Sequence, residues 1–411
     1  MPGTVPVEFM LFACVLAGVA LLQKHSLAVA VSGAVAIAVY KIAWSPFATG
    51  PGLAGFAGHL GHEWVTLANL LLLLLGFALL ARSFEDSGVP AVLPRWLPDD
   101  WKGCFVLLVL IFVMSAFLDN IAAALIGGTV ARTVLRKVHV GYLVAIVAAS
   151  NGGGSGSVVG DTTTTLMWIA GIRPAEVAEA YIGASAALLI FGVAASLQQQ
   201  AFSPIARNEQ PGAQVDWVRV GIVAFILFAA VVVNVVVNTH FTEVSGTFPF
   251  VGLAVWAAVG LGTVWRRPAW RLLPGALNGA VFLLSLVLCA SMMPVDKLPA
   301  ASWQTALGIG FLSAVFDNIP LTALAIRQGG YDWGYLAYAV GFGGSMMWFG
   351  SSAGVALAGM YPEARNVGQW LRHGWHVALA YVLGFALLLA TIGWHADAPP
   401  PATRPAVSIA P

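Results

Sequence analysis

Three aspartates stand inside otherwise apolar stretches of this sequence. Asp119 and Asp317 lie in the related segments SAFLDNI (115–121) and SAVFDNI (313–319), and Asp161 ends a glycine-rich segment. A carboxylate placed within hydrocarbon costs roughly 3 kcal/mol or more, so such groups are functional by default. The structural alternative is that they cap half-helices, which suits Asp161 because Thr162, Thr163 and Thr164 follow it. Each of the three is therefore a candidate to bind a proton or a cation such as Na⁺.

Neutral oxygen ligands accompany these carboxylates. They come from side chains near the aspartates and near glycine-rich loops, which also expose backbone carbonyls: Asn120, Asn151, Ser155, Thr162, Asn318, Ser345, Ser351 and Ser352. Oxygen-rich surroundings without thiols suit a hard ion. The alternative for the glycines is close helix packing. The sequence thus predicts an ion-binding site with no resident cofactor, and at residues 59–63 it predicts an interfacial turn rather than a metal site.

The composition indicates the medium in which these residues lie. Of the 411 residues, 59% are hydrophobic and 9% are charged, and the mean hydropathy is +0.85. Soluble chains carry roughly a quarter charged residues. Uniformly apolar runs, long enough to cross a bilayer core of ~30 Å, favour helices over barrel strands. We predict an all-α polytopic membrane protein whose partners are the lipid bilayer and a small ion or molecule, since no basic cluster indicates nucleic acid.

An internal repeat organises the chain. SAFLDNI and SAVFDNI share five of seven residues at an offset of 198, and GGSGSVVGDT (153–162) matches GGSMMWFGSS (343–352) at an offset of 190. Two matched pairs in the same order indicate a duplicated unit. We predict a first repeat at 1–197, a cytoplasmic linker at 198–215, a second repeat at 216–395 and a disordered tail at 396–411.

Each repeat should contain a re-entrant hairpin and a broken helix. The apolar region 103–131 would be ~43 Å long as one helix, which exceeds the bilayer core, so it should turn back near Asp119. Residues 303–326 should do the same. Glycines interrupt the broken helices predicted at 141–171 and 333–361. Each repeat then crosses five times, an odd number, so the second repeat must be inverted and about ten crossings result.

Basic residues indicate the orientation. With ten crossings, 14 of the 19 lysines and arginines fall on one side of the membrane. Such residues concentrate on cytoplasmic loops. We therefore predict a multi-pass protein of a bacterial-type inner (plasma) membrane, with both termini in the periplasm and the first hairpin opening towards the cytoplasm.

Four segments carry a family resemblance: FLDNIAAALIGG (117–128), SNGGGSGSVVGDTTTTLMW (150–168), FDNIPLTAL (316–324) and GWHVALAYVLGF (374–385). In these segments the sequence resembles the ion transporter superfamily, which holds NhaD-type sodium/proton antiporters, arsenite permeases and citrate and dicarboxylate transporters. The segment around Gly160-Asp161-Thr162 is most similar to the NhaD-type antiporters. The resemblance implies a homodimer in which a transport domain moves against a scaffold.

The resemblance implies secondary active transport and leaves two kinds of substrate open. The leading hypothesis is a Na⁺ (or Li⁺)/H⁺ antiporter, in which Asp119, Asp161 and Asp317 alternately hold protons or the metal ion. The alternative is a cation-coupled symporter of citrate or another carboxylate. Carboxylate transporters of the superfamily have Ser-Asn-Thr motifs at the hairpin tips, whereas aspartates stand there in this sequence, which favours a cation. A channel or an enzyme is disfavoured, because the polar groups cluster at two points and no nucleophile accompanies a base.

Overall fold

A computed structural model describes residues 6–22, 25–92, 97–205, 214–241, 247–316 and 318–397. Within these ranges the chain is helical, and strand pairing occurs only as two isolated bridges, Phe47 with Gly50 and Leu135 with Ile205. Six of the described helices are long and apolar enough to cross a membrane, and four shorter apolar helices accompany them. The predicted all-α polytopic fold is thus confirmed. The inversion of the repeats and the number of crossings stay predictions.

The described part of the first half contributes eight helices of at least eight residues. They are α1 (Val7–Leu21), α2 (Ser26–Trp44), α3 (Gly52–Glu85), α4 (Trp101–Ser115), α5 (Asn120–Val134), α6 (Val140–Ser155), α7 (Thr162–Ile169) and α8 (Ala180–Phe202). Two shorter helices lie at Val89–Val92 and Pro174–Ala178. Helix α8 extends to Phe202, into the segment predicted as a linker, and residues 206–213 of that segment lie outside the described ranges.

The described part of the second half contributes eight helices in the same order. They are α9 (Trp217–His240), α10 (Phe250–Gly262), α11 (Leu273–Ser291), α12 (Trp303–Ser313), α13 (Asn318–Gln328), α14 (Trp333–Gly343), α15 (Ser352–Met360) and α16 (Val367–Thr391). Single 3₁₀ turns lie at Trp270–Leu272, Val295–Lys297, Gly344–Met346 and Pro362–Arg365. Residues 398–411, most of the predicted tail, lie outside the described ranges.

The helix breaks follow the sequence in three cases and differ in one. In the two regions predicted as hairpins, helices break between Ser115 and Asn120 and between Ser313 and Asn318, and the second broken helix is interrupted between α14 and α15. In the first broken helix, however, α6 stays regular through its glycines and ends at Ser155. The reason is packing: a Cβ on Gly153 would overlap the carbonyl oxygen of Phe112. Glycine there lets α6 cross α4 closely, and the break follows at 156–161.

The helices form two groups. The inner group (α4–α8 and α12–α16) holds the core, and every residue of α6 and α14 is buried. The outer group (α1–α3 and α9–α11) exposes large apolar side chains such as Val35, Phe228 and Leu261. Apolar surface on membrane-length helices suits contact with lipid. The candidate polar residues therefore lie in the inner group, away from this apolar surface.

Contacts within the inner group recur in both halves. Ser115 Oγ donates to the carbonyl oxygen of Ser150 at 2.5 Å, and Ser313 Oγ donates to that of Val340 at 2.8 Å. The two pairs are related by the offsets of 198 and 190 residues found in the sequence. Helix α5 packs against α15, and α13 packs against α7, so each hairpin contacts the broken helix of the other half. The duplicated sequence therefore produces duplicated local packing.

The outer group is tied to the inner group at particular places. Helix α3 packs against α7, and α11 packs against α13. An ion pair joins Glu63 of α3 to Arg327 of α13. One turn away, His59 Nε2 lies 2.9 Å from Ser291 Oγ. His59 belongs to α3, so the interfacial turn expected at residues 59–63 is wrong; this segment stays helical because its side chains find partners on α11 and α13.

Candidate functional site

The broken helices α6 and α14 contact each other within the inner group, and Asn151 lies at this crossing. Its Nδ2 donates to Ser345 Oγ and to Ser351 Oγ, both at 3.0 Å, and its Oδ1 accepts from Asn120 Nδ2 at 3.2 Å. None of these four residues is more than 5% exposed. Such buried polar groups are stable because they satisfy one another. Four of the predicted ion-binding residues thus form one network that joins the two halves.

Asp161 caps the second part of the first broken helix. Its Oδ1 accepts the backbone N–H of Thr163 at 3.1 Å, as the capping alternative requires, and the residue is 3% exposed. The N-terminus of α7 favours a negative charge at this place. The other oxygen, Oδ2, lies 3.7 Å from the position that a Cβ on Gly341 would take. Asp161 therefore caps a helix with one oxygen and faces the crossing of α6 and α14 with the other.

The remaining polar residues of the broken helices lie close to these caps. Ser351 caps α15 by accepting a backbone N–H at 3.2 Å, as Asp161 caps α7. Ser155 is buried and donates to a backbone carbonyl oxygen of its own helix at 2.8 Å. Thr162 and Ser352 are the first residues of α7 and α15, and both are half-buried. The structure thus gathers oxygens from both halves around one crossing.

The two hairpin tips contribute differently. Asp119 occupies the N-cap position of α5 and is half-buried, while its neighbour Asn120 joins the network. Asp317 lies outside the described residues. Its neighbour Asn318 is 3% exposed, and the Nδ2 atom of Asn318 has no hydrogen-bond partner among the described residues. The structure therefore places the two hairpin asparagines in different hydrogen-bonding situations.

A cavity of about 240 Å³ approaches the network between the two groups of helices. Residues of α1, α2 and α11 line one side, and residues of α5, α15 and the α12–α13 connection line the other. Its polar wall near the network is formed by Ser351 and Ser352, whereas Ile121, Phe316 and Phe349 belong to its apolar wall. Among the described residues that line it there is no lysine or arginine. An anion would find no positively charged side chain here.

Some features of this region were missed from the sequence. Gly341 stands where the repeat offset of 190 places the counterpart of Asn151, so a complete alignment of the repeats would have revealed it. The pair of Glu63 and Arg327 joins residues 264 positions apart, and no local pattern marks it. The described residues include no group of three or more His, Cys, Asp or Glu side chains that could hold a metal ion. Any cation bound at the crossing would therefore need serine, asparagine or backbone oxygens as well.

A multi-pass helical protein with buried polar groups where broken helices cross has the construction of a membrane transporter. The sequence matches the citrate transporter family over residues 9–343. The chain belongs to this family and, with it, to the ion transporter superfamily.

Two relatives have more specific names. The chain is 26% identical over 342 residues to a protein of Arabidopsis thaliana named Sodium/proton antiporter 1, a match that covers 70% of this chain and 55% of the relative. It is 27% identical over 392 residues to the Na(+)/H(+) antiporter NhaD of Vibrio parahaemolyticus, covering 81% of this chain and 91% of the relative. The chain thus spans little more than half the length of the Arabidopsis protein.

Proposed function

We propose that this transporter exchanges Na⁺ or Li⁺ for H⁺. The observation that carries the proposal is the crossing of α6 and α14, where the buried carboxylate of Asp161 and the side chain of Ser155 both face Gly341. One carboxylate with neutral oxygens suits a small hard cation, which is attracted by the charge and takes the oxygens in place of water. The names of the two relatives agree with this substrate.

Competition for one carboxylate would couple the two ions. A protonated Asp161 has no charge to attract a cation, and a cation beside the carboxylate opposes protonation, so each ion displaces the other. The N-terminus of α7 stabilises the ionised form between these events. We propose that Asp119 and Asp317, at the hairpin tips, attract the same ions towards this carboxylate. Assembly as a homodimer, location in a bacterial-type inner membrane and periplasmic termini remain predictions.

Cation-coupled transport of citrate or another carboxylate is the second candidate, because the family is described by citrate transport. The cavity beside Ser351 and Ser352 argues against it, since an anion there would meet apolar side chains and no positively charged one among the described lining residues. Helix N-termini alone would have to stabilise such an anion. This candidate therefore ranks below cation exchange.

Proteoliposomes that contain the full chain test the proposal. With a proton gradient across the membrane, added Na⁺ or Li⁺ should change the internal pH, whereas choline should not. Liposomes without protein and liposomes with the Asp161→Asn variant provide the controls. Sodium-dependent accumulation of labelled citrate, without any Na⁺-driven pH change, would contradict the proposed antiport and support the citrate symporter instead.

A further inference from the structure

The crossing of α6 and α14 relates the two halves residue by residue. The offset of 190 pairs Asn151 with Gly341, and it also pairs Ser345 with Ser155 and Ser351 with Asp161. The contacts follow the same pairing. Asn151 bonds to its two serines, while a Cβ on Gly341 would lie 2.8 Å from the Cβ of Ser155 and 3.7 Å from Oδ2 of Asp161. The crossing therefore contains two equivalent places, named here the Asn151 position and the Gly341 position.

The Asn151 position is filled by the protein itself. The Nδ2 group of Asn151 lies between two hydroxyl oxygens at 3.0 Å each, and both belong to the opposite half. An amide NH₂ is a pair of donors with partial positive charge, so it satisfies neutral acceptors without adding a net charge. At the Gly341 position the equivalent side chain is missing, because the residue is glycine.

Because glycine at position 341 stands where the first half has Asn151, the two hairpin asparagines should differ in their hydrogen bonds, and they do. Asn120 is held by Oδ1 of Asn151 at 3.2 Å. Its counterpart at the offset of 198, Asn318, has no side chain at Gly341 to bond with. Within the described ranges, the Nδ2 atom of Asn318 has no hydrogen-bond partner although the residue is only 3% exposed. A buried amide in this state costs roughly 1–3 kcal/mol, and no acceptor on this nitrogen fixes the orientation of the amide.

The charges of the two places also differ. Where the Asn151 position has the neutral hydroxyl of Ser351, the Gly341 position has the carboxylate of Asp161. A neutral amide group matches the uncharged hydroxyls at the Asn151 position, and a full positive charge matches the carboxylate at the Gly341 position. The side-chain amide of Asn318 can present its oxygen by rotating about its last bond.

We infer that the protein binds one transported cation per chain, at the Gly341 position, and that the side chain of Asn151 permanently occupies the equivalent place in the other half. The ligands are the carboxylate of Asp161 and the side-chain oxygens of Ser155 and Asn318. Gly341 is required because a Cβ there would lie 2.8 Å from the Cβ of Ser155 and would displace this ligand. This inference rests on the proposed cation exchange and adds the location and the number of the ions.

The number of ions is measured on the wild-type protein. Equilibrium binding of ²²Na⁺ to the purified chain in detergent should saturate at one ion per chain, and the rate of exchange should depend on Na⁺ concentration with a Hill coefficient near one. Saturation at two ions per chain would overturn the inference and leave cation exchange intact. Absence of both Na⁺ binding and Na⁺/H⁺ exchange would instead overturn the proposed function.

Matched variants locate the ion. Ser155→Ala removes a proposed ligand and should weaken ²²Na⁺ binding about tenfold or more, the effect of losing one interaction with a charged group. Ser351→Ala changes the equivalent serine at the Asn151 position and should weaken binding much less. Ser196→Ala, at a buried serine of α8, is the control for a neutral change. A stronger effect of Ser351→Ala than of Ser155→Ala, at similar protein abundance, would place the ion at the wrong half and refute the assignment.

Changes at Gly341 give a second measurement. Gly341→Ala places a methyl group 3.7 Å from Oδ2 of Asp161 and close to Ser155, so we expect ²²Na⁺ affinity to fall at least about tenfold. Gly279→Ala, at a position where a Cβ meets no atom within 4 Å, is the control. Wild-type affinity in a folded Gly341→Ala protein would contradict the inference. If this variant does not fold, the stoichiometry and the serine pair still decide the question.

Discussion

The two halves share helix order and close backbone contacts, but they differ in the side chains at their centre. Gly153 and Gly343 each lie where a Cβ would overlap a carbonyl oxygen, of Phe112 and of Gly310 respectively. In contrast, Asp161 caps the broken helix of the first half and a serine caps that of the second. The comparison teaches that the duplicated backbone provides the geometry of the crossing, whereas a few unequal side chains determine where charge can bind.

The largest expected effect comes from the carboxylate that only one half possesses. Asp161→Asn keeps an oxygen that can accept the N–H of Thr163, so α7 should remain capped, but the charge is lost. We expect Na⁺/H⁺ exchange to fall to the level of empty liposomes at near wild-type abundance. Asp119→Asn is measured beside it. Loss of exchange in the Asp119 variant alone would show that the essential charge lies at the hairpin tip and not at the broken helix.

The glycine pair tests whether the backbones are equivalent. Gly153→Ala and Gly343→Ala each force a methyl group against a carbonyl oxygen, and overpacking of this kind costs roughly 1–3 kcal/mol. Thermal unfolding of the purified protein in detergent should show a similar loss of stability in both. Gly260→Ala, where a Cβ meets no atom within 4 Å, serves as the control. A loss confined to one of the two would show that the halves do not share this backbone contact equally.

The ion pair of Glu63 and Arg327 tests a difference between the halves at the contact of the outer group with the inner group. The repeat offset of 198 pairs Arg327 with Thr129, which bonds to its own helix instead, so this ion pair between the halves has no counterpart at Thr129. The two side chains are 13% and 26% exposed, so removing either charge by Glu63→Gln or Arg327→Gln should cost about 1 kcal/mol. The double charge swap Glu63→Arg/Arg327→Glu should regain part of this in thermal unfolding. No recovery would mean that the charges do not interact.

The smallest effect is expected at the exposed end of α9. A hydrogen bond from the Arg266 guanidinium, 2.8 Å from Asp216, lowers the pKa of this carboxyl below its usual range. A lowered pKa in the folded state means that the contribution to stability is present above the unfolded pKa and is lost as the pH falls through the folded one. Asp216→Asn should therefore unfold slightly more easily at neutral pH and like the wild type near pH 2. A difference that grows on acidification would contradict this.

The sequence predicted much of the inner group, for physical reasons that are local. Apolar runs too long for one crossing, each with an Asp-Asn pair, predicted breaks near Asp119 and within 303–326, and the helices there end at Ser115 and Ser313. The glycine run was harder, because glycine serves both to end helices and to bring them together, and only the neighbouring Phe112 shows that Gly153 does the second. The partners of His59 and Glu63 could not be predicted, since they lie more than 200 residues away in the chain.

The packing of the outer helices has a consequence for the speed of transport. Helix α3 lies against α7 and α11 against α13, so the helices that carry Asp161 and Asn318 are covered from outside, and both residues are 3% exposed. The cavity instead adjoins Ser351 and Ser352. A cation beside Gly341 would thus be enclosed in this conformation, and its residence time would be set by the separation of packed helices rather than by diffusion. We expect turnover to rise steeply with temperature, as it does when a conformational step limits the rate.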